Sequence, residues 1–98
     1  MARLRLDYTT RFGKDVKRLR KRNADLGALR EVIRLIELND VESREELRRR
    51  HRAHLLRGRW EGAAECHVAN SGNWLMVWQE ADGVAVLLRT GTLQEIFR

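Results

Sequence analysis

The 98-residue chain contains no proline and a single cysteine, Cys66. Without proline, no turn can rest on a fixed φ. Reversals must be made by the seven glycines and by Asn, Asp and Ser. A lone cysteine excludes an internal disulfide and fits a reducing cytosol. Long apolar runs are missing as well. None approaches the roughly 20 residues of a membrane span, and no apolar segment of the signal-peptide type follows Met1. Acidic residues are the minority, 14 against 20 Lys plus Arg, which leaves a net charge of +6. Aromatic residues make up only 6%, yet three of them are tryptophans.

What is present describes one folded domain over residues 1–98. Hydrophobic content of 43% and charged content of 35% belong to a globular chain, not a disordered one. An Arg-rich small domain suits phosphates or an acidic protein, because the guanidinium fork pairs with phosphate and carboxylate in two-pronged fashion. The alternative is a merely solvated basic surface.

Residues 3–8 alternate, with Leu4, Leu6 and Tyr8 facing one way, which predicts a first strand. Thr9 or Thr10 caps a helix with Phe12, Val16 and Leu19 on one face and Lys14, Lys17, Arg18, Lys21 and Arg22 on the other. Residues 23–25 break it. Asp25 then caps a second helix, striped by Leu26, Leu29, Ile33 and Ile36, and Asn39-Asp40 ends it. Ser43 and Glu46 have the spacing of a capping box, which predicts a short helix from Arg44. Gly58 and Gly62 bracket Trp60, predicting a sharp turn with Trp60 anchored in the core. Residues 65–68 and 74–79 read as strands joined by a turn at 70–73. A tight turn at 81–83 leads into a central strand at 84–88, and residues 93–97 form a last helical turn. The order β-α-α-β-β-β predicts an α+β fold: a helical hairpin on one face of a small, mostly antiparallel sheet. The other face is expected to be open, and a site is expected there.

The polar groups that could do chemistry are concentrated between His54 and Thr92. His54, His67 and Arg89 are the candidate catalytic set. Two groups that titrate near neutrality and one fixed cation suit metal-free cleavage of an RNA phosphodiester. On strands of one meander they can converge within a few ångströms. A strand histidine can equally be a hydrogen-bonded structural residue, and Trp60, Trp74 and Trp78 can be core instead of base-stacking platforms. The spacing of His51, His54, Cys66 and His67 fits no zinc pattern, and no phosphate loop or nucleophilic triad is visible, so neither metal nor cofactor is expected.

Several of these residues also fall into a known order. His54-Leu55-Leu56, Gly58, Trp60 and Gly62 are followed by Cys66-His67-Val68, by Asn73-Trp74 and the strand after it, by Leu88-Arg89-Thr90-Gly91-Thr92 and by Phe97. This series, with the early TRFGKDVKRLRKR, resembles the YafQ branch of the RelE/ParE toxin superfamily. The resemblance implies a RelE-like fold and a bacterial type II toxin: an endoribonuclease that cleaves mRNA in the ribosomal A site and is neutralised by a cognate antitoxin. It implies that His54 is the general base, Arg89 the phosphate clamp and His67 a possible acid. It also implies that Asn73, Trp74 and Phe97 contact substrate, and the basic run Arg48-Arg49-Arg50 is expected to bind a phosphate backbone or the antitoxin. The sequence departs from the family pattern at Asn73, where Asp is usual, at Leu93, where His is usual, and at Ala64, where Arg is common. The other reading is a toxin of this fold that acts by binding RNA or a protein such as gyrase. A cytoplasmic location and no membrane contact complete the expectations.

Overall fold

The computed structural model describes residues 2–69 and 72–97. The chain runs β1 (Arg5–Tyr8), α1 (Thr10–Lys21), α2 (Leu26–Leu38), α3 (Val41–Arg50), β2 (His54–Leu55), a 3-10 turn (Gly58–Trp60), β3 (Ala63–His67), β4 (Leu75–Ala81), β5 (Val84–Gly91) and α4 (Leu93–Phe97). One five-stranded sheet has the order β1-β5-β4-β3-β2. β1 pairs parallel with β5, and the other neighbours are antiparallel.

The helices start and stop where local chemistry directs. The Thr9 side chain accepts from the Phe12 N–H and the Asp25 side chain from the Ala28 N–H. Asn39 ends α2 in the left-handed region, at φ 51°. The tight turn before β5 has positive φ at both Asp82 (53°) and Gly83 (78°), the geometry of a two-residue hairpin loop. Gly58 and Gly62 also have positive φ, 70° and 94°, as a sharp turn there requires. The expected turn at 70–73 falls partly outside the described residues.

Two expectations need correction. The third helix begins at Val41, not Arg44: Asp40 is its cap, and Ser43 is the reciprocal partner three residues on. Aspartate is a cap at least as good as serine, and both arrangements fit the sequence. The helical layer holds the expected pair α1 and α2, with α3 beside them. Trp60 is only half-buried. It anchors no central core; its ring packs edge-on against Phe97, with centroids 5.3 Å apart.

Apolar residues divide between the two faces of the sheet. Phe12, Leu29, Val32, Ile36, Met76 and Trp78 are part of the main core, between sheet and helices. On the opposite face a smaller cluster gathers Ala63, Leu75, Val77 and Ile96, flanked by Leu56, Trp60, Leu88 and Phe97. That face is thus open only in part, because α4 and the 3-10 turn fold back over its middle.

Candidate active site

Sheet register decides which side chains meet. His54 pairs with Glu65, Glu65 with Val77, and Val77 with Arg89, so these four form one rung across β2, β3, β4 and β5. Directly paired residues project to the same face, and Val77 belongs to the cluster opposite the helices. His54, Glu65 and Arg89 therefore start from that face. His67, two residues along β3 from Glu65, starts from it too.

His54 is held by its own loop. Its Nδ1 lies 3.0 Å from the carbonyl oxygen of Arg52. A carbonyl can only accept, so Nδ1 carries the proton and Nε2 keeps its lone pair in the neutral ring. Nε2 lies 3.7 Å from Glu65 Oε1. The Glu65 side chain is 11% exposed, whereas that of His54 is 53% exposed. An open imidazole with a free nitrogen beside a sheltered carboxylate can take a proton from a bound molecule, and the carboxylate can stabilise the resulting cation. The loop holds strain here, since Arg52 sits at φ 54°. His51 is structural by comparison. It is buried, and its Nδ1 donates to the His67 carbonyl at 2.9 Å while the His67 N–H donates to the His51 carbonyl at 2.7 Å.

Arg89 does not converge on the histidines. Three strand spacings separate β5 from β2, about 14 Å between backbones, and the guanidinium turns the other way. Nε donates to Asp15 Oδ2 at 2.8 Å, and Nη2 donates to Asp15 Oδ1 at 3.2 Å and to the Glu95 carbonyl at 3.1 Å. The two-pronged fork that would grip a phosphate is occupied; among the described residues Nη1 has no hydrogen-bond partner. Asp15 is 1% exposed. Burial alone would raise its pKa, but hydrogen bonds from Arg89, the Thr90 N–H and Arg18 outweigh that and hold it below the ordinary 3.8. The same pairing raises the pKa of Arg89, so both stay charged.

The motif Arg89-Thr90-Gly91-Thr92 is a joint between β5, α1 and α4. Thr90 is fully buried; its hydroxyl donates to the Leu75 carbonyl and accepts from Trp74 Nε1 at 2.9 Å. A Cβ on Gly91 would lie 2.7 Å from Glu95 Oε1 and 3.0 Å from Arg18 Nη2. Thr92 and Glu95 cap α4 reciprocally. Glu95 also bridges to Arg18 and Arg22 from α1.

The remaining sequence candidates lie elsewhere. Phe97, at the end of α4, meets Trp60 on the partly open face. Asn73 and Trp74 line a small hollow with Leu19, Arg22 and Gly91, on the helix side of the sheet. Arg48 and Arg50 are exposed on α3 and paired with Glu45 and Glu46, while Arg49 is exposed without an ion pair among the described residues. A larger groove of about 600 Å³ runs between α3 and the β2 edge, past Val41, Leu55 and His54. Among the described residues no group of three or more His, Cys, Asp or Glu is placed to hold a metal. Cys66 is fully buried, which pushes its thiol up to about 12. Among the described residues no helix is long and apolar enough to cross a membrane.

Comparison with known proteins gives this geometry a setting. The sequence pattern of the bacterial toxin of type II toxin-antitoxin system, YafQ, matches residues 4–98. The chain belongs to the YafQ family of bacterial toxins. It is 28% identical over 92 residues to the mRNA interferase toxin YafQ of Escherichia coli K12, covering 94% of each. Its fold matches a chain of the E. coli DinJ-YafQ toxin-antitoxin complex with a TM-score of 0.82, at 26% identity and over 98% and 99% of the two chains. A copper-bound mutant toxin from Helicobacter pylori matches at 0.80, with 30% identity over 96% and 99%. Two further residues of this chain carry a signal in the sequence that was not drawn on above. Glu65 alternates in step with His67, a pattern that places both on one face. Asp15 falls at i+3 from Phe12 and i−4 from Leu19, a charge on an apolar stripe.

Proposed function

We propose that this YafQ-family chain is an endoribonuclease toxin, an mRNA interferase that cuts mRNA in the ribosomal A site and is held inactive by a cognate antitoxin in the cytosol. The observation that carries the reading is His54: an exposed ring whose Nδ1–H is fixed by Arg52, leaving Nε2 free next to Glu65. The relatives' naming as mRNA interferases and the family's toxin–antitoxin character support the same reading.

In this scheme RNA lies along the partly open sheet face. His54 Nε2 takes the 2′-hydroxyl proton, and the 2′-oxygen attacks the adjacent phosphorus. The bond to the 5′-oxygen breaks, and His67 returns a proton to that leaving oxygen. Glu65 stabilises the imidazolium formed on His54. Arg89, three strands from His54 and held by Asp15, offers Nη1 to a phosphate farther along the bound strand, as a single directed donor and not as a fork. Phe97 and Trp60 offer aromatic surface to a base, and Asn73 and Trp74 support substrate through the Thr90 joint. Arg48, Arg49 and Arg50 hold the phosphate backbone or an acidic antitoxin segment. The RNA supplies its own nucleophile, so the scheme needs neither metal nor cofactor.

Induced expression with mapping of mRNA 5′ ends tests the reading. New ends, absent when His54→Ala or Arg89→Ala is expressed as folded protein, are the expected result. Unchanged message with continued growth inhibition would point to a toxin that acts by binding a protein target.

A further inference from the structure

β1 ends at Tyr8, opposite Leu87, whereas β5 runs on to Gly91. The last turn of β5 therefore has no neighbouring strand on that side. α1 occupies the vacancy. Thr9 begins it, its N–H donating to the Leu87 carbonyl and its hydroxyl to the Leu88 carbonyl. Asp15 follows, accepting the Thr90 N–H at 3.0 Å. A buried carboxylate thus stands where a strand backbone would be, and Arg89 reaches around the sheet edge to share it. The strand is bulged between Val77 and Trp78, where Leu88 is the extra residue. The bulge turns Arg89 toward that edge.

A buried carboxylate needs its oxygens satisfied, and here the partners that satisfy them also fix a direction. Asp15 receives Arg89 through two nitrogens, the Thr90 backbone, and Arg18 at 2.9 Å. Both its oxygens are engaged, so neither it nor the Arg89 fork has freedom to rotate. Arg89 is left with one unoccupied nitrogen, pointing in a direction set by α1. Thr90, anchored by the same carboxylate, carries Trp74.

We infer that Asp15 is the positioning residue of the site: it fixes Arg89 side-on at the β5 edge so that Nη1 alone faces the substrate phosphate. Asp15 touches no substrate and acts through Arg89. This rests on the endoribonuclease reading above and extends it to a residue outside the sheet.

The test compares wild type, Asp15→Asn, Arg89→Ala and the double variant in single-turnover cleavage of mRNA on programmed ribosomes. Asp15→Asn should lower the maximal rate by about 10²-fold, the typical penalty for ~1 Å of misplacement, with the concentration dependence changed less than about threefold. The double variant should be no slower than Arg89→Ala, since a positioning residue has nothing left to position. Multiplying losses would overturn the inference while leaving the nuclease reading standing. No cleavage by wild type would overturn that reading and the inference together. A measurement on the wild type guards against misfolding of the variants. The Arg89 Nε–H resonance should stay protected from exchange when a 2′-deoxy substrate analogue binds. Its release to solvent on binding would show that Arg89 leaves Asp15, which also overturns the inference.

Discussion

Gly91→Ala is the substitution on which the joint between β5 and α4 stands or falls. Gly91 has a φ of 150°, and a Cβ built there lies 2.7 Å from Glu95 Oε1 and 3.0 Å from Arg18 Nη2. The backbone term alone costs about 1–3 kcal/mol for a residue with a side chain. The new methyl also has to displace the Glu95 carboxylate, which accepts the Thr92 N–H at 2.9 Å and caps α4. Loss of such a cap costs about 0.5–2 kcal/mol. The expected total is about 1.5–5 kcal/mol, against a usual stability of roughly 5–15 kcal/mol, so the native state is weakened but still measurable. Gly58→Ala is the control: its φ is 70°, and nothing lies within 4 Å of the added Cβ. It should cost only the backbone term, about 1–2 kcal/mol. Urea unfolding gives both values, and hydrogen exchange of the Ile96 and Phe97 amides reports whether α4 has come loose. Equal losses for the two variants, with α4 still protected in Gly91→Ala, would refute the steric account of the joint.

Further outcomes follow from the same structure. The pKa of Asp15 is depressed in the folded state, so its contribution is present above the ordinary 3.8 and is lost as pH falls below it; acid titration of stability should be shallower in Asp15→Asn than in wild type, and parallel curves would contradict this. With its thiol raised to about 12 and fully buried, Cys66 should resist alkylation at pH 8 until urea unfolds the chain; modification of the native protein at the rate of a free thiol would contradict its burial. Arg49→Gln should weaken RNA binding and reduce the salt slope by about 1, because Arg49 has no ion pair among the described residues, whereas Arg48→Gln and Arg50→Gln should do less. A slope unchanged from wild type in all three variants would mean that α3 is only a solvated face.

The fold was largely legible because local signals and register agreed. Thr9 and Asp25 cap as their positions suggest, and the alternation of β3 puts Glu65 and His67 on the face opposite the helices. Periodicity could not show the two-residue β2, which exists only because β3 offers it an edge, nor choose between Asp40 and Ser43 as the α3 cap. The site was legible in part. His54 and His67 lie on the face where they were expected. Arg89 starts from that face, but its distance from them depends on strand order, and its orientation depends on a bulge and on Asp15, 74 positions away in sequence. Asp15 itself was hidden among the cations of α1, although an acid on an apolar stripe is a legible sign of a buried partner. Gly91 likewise looked like a loop glycine until Glu95 was placed against it.

The most direct measurement is end-group analysis of RNA cut by the purified toxin on ribosomes, with and without EDTA. The expected products carry a 2′,3′-cyclic phosphate and a 5′-hydroxyl, form equally in EDTA, and vanish with His54→Ala, since loss of an acid–base group costs about 10²–10⁴ in rate. Products carrying a 5′-phosphate, or cleavage that stops in EDTA, would contradict attack by the RNA's own 2′-hydroxyl through His54.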